Sequence, residues 1–196
     1  MTSRSDRSAG PRSRVITSLT NDRVKLIRSL DMRKARRETG LFVAEGASVL
    51  MTARENGWRP QILAHGAEAR ESRAHRELID WALREGTEGL EVSHAVLEKL
   101  AAKDNPQNLM GVFEQRWAAL PETKTLAKSA LWVALDEIRD PGNLGTIIRT
   151  VDAVGADGVI LVGNCCDPYQ REAVRATMGS LFAVPLVKVE RAAFVD

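Results

Sequence analysis

The chain has 196 residues, of which 44% are hydrophobic and 28% are charged, a length and composition typical of a soluble globular protein with one or two domains. No apolar run approaches the roughly 18 residues that a membrane-spanning helix needs, so no membrane span is expected. The formal net charge is only +2, and the basic N-terminus is not followed by the apolar core of a secretory signal.

The cysteines and histidines do not suggest a disulfide framework or a metal centre. Cys165 and Cys166 are adjacent in sequence, which is typical of reduced, buried thiols in a cytoplasmic protein. His65, His75 and His94 are scattered, with no cysteine or carboxylate at ligand spacing. We therefore expect a cytoplasmic protein without a metal site.

Positive charge is concentrated at the start of the chain. Residues 1–40 contain eleven Lys and Arg against four acidic residues, so this segment carries +7 and the remaining 156 residues sum to −5. A basic arm on a near-neutral body is typical of a protein that binds a polyanion through phosphate contacts, without sequence specificity. The alternative is a solvated helix face that follows an unstructured tail.

The first part of the chain alternates between helix and strand patterns. Residues 1–19 form a basic tail that we expect to be disordered. Asn21 can cap a helix that presents Val24, Ile27 and Leu30 on one face. The following elements are strands at 41–46, 61–66, 90–93 and 108–115, with helices at about 47–56, 68–85 and 94–101. This order predicts an α/β domain over residues 20–116.

Residues 117–130 lose this periodicity and contain a proline, so we interpret them as a linker. The next pattern predicts a second α/β domain over 131–196. Its elements are strands at 131–136, 158–163 and 183–189 and helices at about 143–154 and 169–181, with Gly155 as the C-terminal cap of the first helix. Two consecutive strand–helix–strand units predict a parallel sheet with right-handed connections.

The turn after the strand at 131–136 reads Asp-Pro-Gly-Asn-Leu-Gly. Pro141 fixes the entry to the turn, Gly142 and Gly145 permit close backbone approach, and Asn143 occupies the expected N-cap position. The buried face of the following helix is predicted to carry Leu144, Ile147, Ile148 and Val151.

Two polar residues of this helix are candidate functional residues. Ligands of open α/β sheets bind beyond the carboxyl ends of the strands, where Asn143 and Arg149 can converge and present an amide and a guanidinium to a phosphate or an incipient oxyanion. The alternative is an ordinary asparagine cap with a surface arginine. Neither of the two common glycine-rich phosphate loops is present.

Three stretches resemble one known family in matching order. Residues 136–161 resemble the first signature motif of the SpoU/TrmH family of RNA ribose 2′-O-methyltransferases, part of the knotted SPOUT superfamily. Residues 167–187 resemble the family's R-A-[ST]-M-G-[AS] helix, and residues 21–50 are similar to its ribosomal-L30e-like substrate-binding domain. The shared residues are Asp140, Pro141, Asn143, Gly145, Arg149, Gly155, Arg175 to Ser180, Pro185, Phe42, Glu45 and Gly46.

The resemblance implies an L30e-like α/β sandwich followed by a parallel-sheet SPOUT methyltransferase domain. It further implies methyl transfer from S-adenosylmethionine to a ribose 2′-hydroxyl, with ribosomal RNA as the partner and a homodimer as the full-length assembly. Asn143 and Arg149 correspond to active-site residues, and Asp140, Pro141 and Gly145 shape the motif. The residues expected to contact RNA phosphates are Arg23, Lys25, Arg28, Arg33, Lys34, Arg36 and Arg37.

A guanidinium is a poor general base, so we expect Arg149 to stabilise the nascent oxyanion and contact the adjacent phosphate. Asn143 would orient Arg149 or the ribose, whereas Glu45 can be purely structural.

The sequence departs from the family after Val189, where nothing resembles the second and third motifs. We therefore expect a domain truncated before the knot and cannot assign cofactor-binding residues. The chain is then either part of a longer protein or a degenerate homologue, and a non-catalytic RNA-binding protein is the alternative function. A small-molecule nucleotide binder is a weaker third reading.

Overall fold

The computed structural model describes residues 15–101, 107–122, 124 and 126–195, which build two β-sheets with flanking helices. The strands of the first sheet are β1 (Leu41–Glu45), β2 (Ile62–Gly66), β3 (Glu88–Val92) and β4 (Leu109–Glu114). The helices around it are α1 (Asp22–Ser29), α2 (Arg33–Thr39), α3 (Ala47–Glu55), α4 (Arg73–Arg84) and α5 (His94–Ala101), with a 3-10 helix at Ala67–Glu71.

The first sheet is mixed, with strand order β1-β4-β2-β3. β4 pairs antiparallel with both β1 and β2, whereas β2 and β3 are parallel. The parallel pair requires a crossover connection, which the 3-10 helix and α4 provide. The predicted α/β architecture of this part is therefore confirmed.

The second sheet is parallel throughout, with order β5-β6-β7, as the two predicted crossovers require. Its elements are β5 (Trp132–Asp136), α6 (Pro141–Ala153), β6 (Gly158–Val162), α7 (Arg171–Ala176), β7 (Leu186–Val189) and α8 (Arg191–Val195), with a 3-10 helix at Ser180–Phe182. Gly155 has a φ of 66° and follows α6, which confirms its predicted role in ending that helix.

Some predicted boundaries differ from the structure. The Asn21 cap is confirmed, because its side chain accepts hydrogen bonds from the backbone N–H groups of Arg23 and Val24. The predicted helix over 169–181 is wrong in extent: α7 ends at Ala176 because Met178 and Gly179 adopt positive φ values of 53° and 106°. The helical periodicity of the apolar residues does not reveal such a turn.

One hydrophobic core joins the two sheets. Phe42 and Phe113 of the first sheet pack against Phe182, with ring centroids 6.0 and 4.9 Å apart, and Phe42 lies 4.7 Å from the Tyr169 ring. The Trp58 indole Nε1 donates a hydrogen bond of 2.9 Å to the Phe182 carbonyl. The two sheets therefore have a fixed relative position, although the irregular segment between them has no helix or strand where it is described.

The predicted tail over 1–19 lies largely outside the described residues, which begin at Val15. Within the described part of the chain, no helix is both long and apolar enough to cross a membrane.

Candidate functional site

The turn between β5 and α6 is organised by Asp140. Its carboxylate Oδ1 accepts a 2.6 Å hydrogen bond from the backbone N–H of Asn143, so Asp140 is the N-cap. The prediction that Asn143 is the cap is wrong, because Pro141 already occupies the first helical position, where its missing N–H costs nothing. Asn143 instead lies within the first turn with an exposed side chain.

Asn143 and Arg149 are both exposed, and neither side chain forms a hydrogen bond or ion pair with the described residues. They are six positions apart on α6, which separates them by ~9 Å along the axis and ~120° around it. The structure therefore leaves both groups available to a ligand, but it does not bring them into contact with each other.

Gly145 faces α7 and is the point at which the first signature motif contacts the helix that begins the R-A-T-M-G-S stretch. A Cβ atom at this position would lie 2.6 Å from the Ala173 carbonyl oxygen and 2.5 Å from the Ala176 Cβ. Only glycine permits this approach. The position of α6, and with it the turn at Asp140, thus depends on the position of α7.

α7 is held in turn by an ion-pair cluster that we call the inter-sheet cluster: Asp31, Glu45, Arg171 and Arg175. Arg171 donates to Glu45 and, at 2.7 Å, to Asp31, while Arg175 donates to Glu45 at 2.8 Å. The Glu45 side chain is 5% exposed, so its carboxylate is held largely away from water by the two arginines. Glu45 therefore joins β1 to α7.

The predicted RNA-binding residues divide into two groups. Arg36 is buried, with its Nε 2.8 Å from Asp167 Oδ2 and its Nη1 bonded to the carbonyls of Leu30 and Asp31. The prediction that Arg36 contacts phosphate is therefore wrong, because its donors are used within the fold. Exposed side chains are found at the other six positions, namely Arg23, Lys25, Arg28, Arg33, Lys34 and Arg37.

A cleft of about 370 Å³ lies between α2 and the carboxyl ends of β6 and β7. This is the edge of a parallel sheet at which ligands bind. Its lining comes from α2, from the segment that follows β4 and from the second sheet and its loops, and includes Arg33, Arg37, Gln115, Trp117, Asp167 and Lys188. We call it the inter-sheet cleft.

The inter-sheet cleft and the turn before α6 share a wall. The backbone N–H of Cys166, which lines the cleft, donates a 2.7 Å hydrogen bond to the Ile138 carbonyl in the turn. Burial raises the pKa of the Cys166 thiol, and Cys165, Asp140 and Asp167 raise it further. Cys166 therefore stays neutral near pH 7 and adds no negative charge to the cleft.

Trp117, Gln115 and Lys188 of the cleft were not among the residues predicted to be functional. The feature of the sequence that could have indicated the cleft was Trp117, an aromatic residue at the start of a segment without apolar periodicity. Lys188 could not be found from pattern alone, because only the packing of α2 over the second sheet places it at the cleft. No group of three or more potential metal-ligating side chains is found across the described ranges.

Comparison with known proteins gives two matches to family profiles. Residues 21–111 match the MRM3-like substrate binding domain, and residues 130–195 match the SpoU rRNA methylase family. The chain is 30% identical over 181 residues to the Bacillus subtilis 23S rRNA (guanosine(2553)-2′-O)-methyltransferase RlmP, covering 92% of this chain and 67% of that protein. It is 32% identical over 161 residues to the Streptomyces viridochromogenes 23S rRNA (uridine(2479)-2′-O)-methyltransferase, covering 82% of this chain and 55% of that protein.

The crystal structure of an rRNA methyltransferase from Sinorhizobium meliloti superimposes with a TM-score of 0.84 at 41% identity, covering 93% of this chain and 67% of that one. Its AdoMet-bound form superimposes with a TM-score of 0.81. The chain thus spans between 55% and 67% of the length of these relatives.

Proposed function

This chain belongs to the SpoU rRNA methylase family, and on that basis we propose that it transfers a methyl group from S-adenosylmethionine to a ribose 2′-hydroxyl of RNA. We propose that this RNA is ribosomal RNA. The printed activities of the two curated relatives support this substrate class. We further propose a cytoplasmic location, a homodimer, and the division into a substrate-binding domain (20–116), a linker (117–130) and a methyltransferase domain (131–196).

One observation carries the proposal. The exposed and unpaired side chains of Asn143 and Arg149 stand on the helix that follows the Asp140 turn, and that turn shares a wall with a cationic cleft. A catalytic group must be free to meet its substrate, and a phosphate-rich substrate needs positive charge beside it.

The chemistry suits an electrostatic role for Arg149. A ribose 2′-hydroxyl is a weak nucleophile, and negative charge develops on its oxygen as its proton passes to solvent water, before the oxygen bonds to the methyl carbon. The Arg149 guanidinium stays charged and cannot accept the proton, but its N–H donors stabilise the developing oxyanion and the neighbouring phosphate. The Asn143 amide can accept from or donate to the ribose and so orient the attacking oxygen.

The methyl donor is S-adenosylmethionine, which supplies an electrophilic methyl group on a sulfonium. This cofactor carries a net positive charge at neutral pH, whereas the inter-sheet cleft carries unpaired Arg33, Arg37 and Lys188. The residues lining the cleft therefore do not fit the cofactor, and we assign none of this chain's residues to holding it.

The exposed basic side chains of α1 and α2 are proposed to hold the RNA by its phosphates. Arg28, Arg33 and Arg37 form no ion pair with the described residues, whereas Arg23, Lys25 and Lys34 each have an exposed acidic neighbour. Exposed ion pairs are weak and exchange readily for phosphate contacts.

The test is methyl transfer from labelled S-adenosylmethionine to ribosomal RNA, with nuclease mapping of the 2′-O-methyl product. We expect Arg149→Ala to lower turnover by roughly 100- to 1,000-fold, as loss of one oxyanion donor does, with RNA affinity within about twofold of wild type. Arg84→Ala, which removes an exposed arginine of α4, is the matched control and should leave both unchanged.

Unchanged turnover in Arg149→Ala would remove Arg149 from the mechanism. A wild-type chain that binds RNA but transfers no methyl group would favour the non-catalytic RNA-binding function instead.

A further inference from the structure

The inter-sheet cleft has an excess of positive charge that the fold does not use. Arg33, Arg37 and Lys188 line it without an ion pair or hydrogen bond to any described residue. Asp167 is the one carboxylate among the described residues that line it, and it is already paired with the buried Arg36 at 2.8 Å. Three unpaired cations around one concave site indicate an anionic ligand.

The same cleft contains an aromatic surface held in place from both sides. Trp117 is 41% exposed, and its ring meets the buried Tyr169 edge-on at 5.2 Å and 85°. The neighbouring backbone is bonded to both sheets, since Gln115 N–H donates to the Gly40 carbonyl at 2.7 Å and Ala118 N–H donates to the Leu186 carbonyl at 2.8 Å.

Tyr169 fixes the backbone of Arg116, the residue that precedes Trp117. Its hydroxyl donates to the Arg116 carbonyl and accepts from the Arg116 N–H at 3.1 Å. Trp117 therefore offers a ring face in a fixed orientation, which is the arrangement that protein surfaces use to stack an unpaired base.

From this combination we propose that the inter-sheet cleft binds one unpaired nucleotide of the RNA, an inference that rests on the proposed function. The phosphate of this nucleotide contacts Arg33 and Arg37, and its base stacks on Trp117. The cleft volume of about 370 Å³ falls within the range of roughly 300–1,000 Å³ found for small-ligand sites. A fully paired duplex keeps its bases stacked internally and cannot use this site.

The position of the cleft favours a nucleotide within an RNA chain over a free nucleotide. Arg33 and Arg37 lie one turn apart on α2, on a surface that continues to the exposed basic residues of α1. A strand that follows this surface brings its next nucleotides towards the Asp140 turn, which adjoins the cleft through Ile138 and Cys166.

The experiment measures binding of the 196-residue chain to two RNA hairpins by fluorescence anisotropy. The hairpins are identical except at one looped-out position, which carries adenosine in the first and an abasic ribose in the second. We expect wild type to prefer the adenosine hairpin by at least about fivefold, the lower bound for one stacked base.

Trp117→Ala should bind both hairpins equally, with the affinity that wild type shows for the abasic one. Trp117→Phe keeps a ring and should keep most of the preference. Leu120→Ala, which removes an exposed apolar side chain three positions further along the same irregular segment, is the matched control and should behave as wild type.

The outcomes separate the two proposals. A folded wild-type chain that binds neither hairpin overturns the proposed function together with this inference. Binding of both hairpins without preference, or an unchanged preference in Trp117→Ala, overturns the inference alone. Displacement of the hairpin by micromolar adenosine monophosphate would identify a free-nucleotide site and would also overturn it.

Discussion

At Gly145 the fold requires a residue without a side chain. The α6 and α7 backbones approach so closely there that an added methyl group would contact both the Ala173 carbonyl oxygen and the Ala176 Cβ. The carbonyl belongs to the helix backbone and cannot rotate away, so the contact can be relieved only by moving one helix. A motif glycine at this position therefore serves packing as well as the turn.

We expect Gly145→Ala to lower the free energy of unfolding by about 2–3 kcal/mol, measured by urea denaturation. The gain in helix propensity from alanine, at most about 1 kcal/mol, does not offset the overlap. Gly142→Ala in the same helix is the control, because its Cβ would meet only the Asp140 carboxylate at 3.3 Å and should change stability by less than about 1 kcal/mol. Equal effects at the two glycines would contradict the packing argument.

At the scale of secondary-structure elements, Glu45 is the strand residue that joins β1 to α7. Its carboxylate accepts from both Arg171 and Arg175, and its side chain is nearly inaccessible to water. Removing the negative charge takes the buried partner from two partly exposed guanidinium groups: Arg171 is left with Asp31 and Arg175 with the Ala101 carbonyl. Breaking a pair in this way costs more than the pair itself contributes.

We predict that Glu45→Gln destabilises the protein by about 3 kcal/mol, near the low end for a broken buried ion pair because the amide oxygen still accepts one hydrogen bond. Glu38→Gln breaks an exposed pair with Lys34 and should change stability by less than about 0.5 kcal/mol. Both values come from urea denaturation in the same buffer. A Glu45→Gln variant as stable as Glu38→Gln would mean that the cluster does not hold α7.

Most of the element order and the fold class were predictable from the sequence, because hydrophobic periodicity and strand–helix alternation are local properties. The short helix α8, and α2 as a helix separate from α1, were not predicted. The family profiles and the S. meliloti structure confirm the predicted family and its α/β fold. Truncation before the knot stays a prediction. The boundary errors arose at the end of α7 and at the Asp140 cap, where backbone conformation rather than periodicity decides the outcome.

The candidate site was predictable only in part. Asn143 and Arg149 are accessible as expected, and their roles remain proposals. Arg36 was assigned to RNA because it belongs to a basic helix, yet tertiary packing pairs it with Asp167, 131 positions away in sequence. Trp117 and Lys188 become neighbours of α2 only through the contact between the sheets. Long-range contacts of this kind leave no local signal.

At the scale of the whole molecule, the shared core makes the two sheets a single structural unit. Phe182 is 4% exposed and lies between the Trp58, Phe42 and Phe113 rings, all of which belong to the first sheet's side of the core. This packing holds the basic surface of α1 and α2 at a fixed distance from the Asp140 turn. A rigid relation of this kind between the proposed RNA-binding surface and the proposed reactive turn is what positioning of an RNA ribose requires.

The shared core predicts that the chain unfolds in one cooperative transition, despite the irregular segment between its sheets. Tryptophan fluorescence and far-ultraviolet circular dichroism should give coincident thermal curves. Phe182→Ala should lower the free energy of unfolding by about 3–4 kcal/mol and shift both curves together, since the cavity opens at the contact between the sheets. Phe194→Ala, which truncates a 40% exposed ring on α8, should leave the midpoint nearly unchanged. Two resolved transitions, with Phe182→Ala moving only the one that belongs to β5–β7, would show instead that the sheets fold independently and that the inter-sheet cleft forms only when they dock.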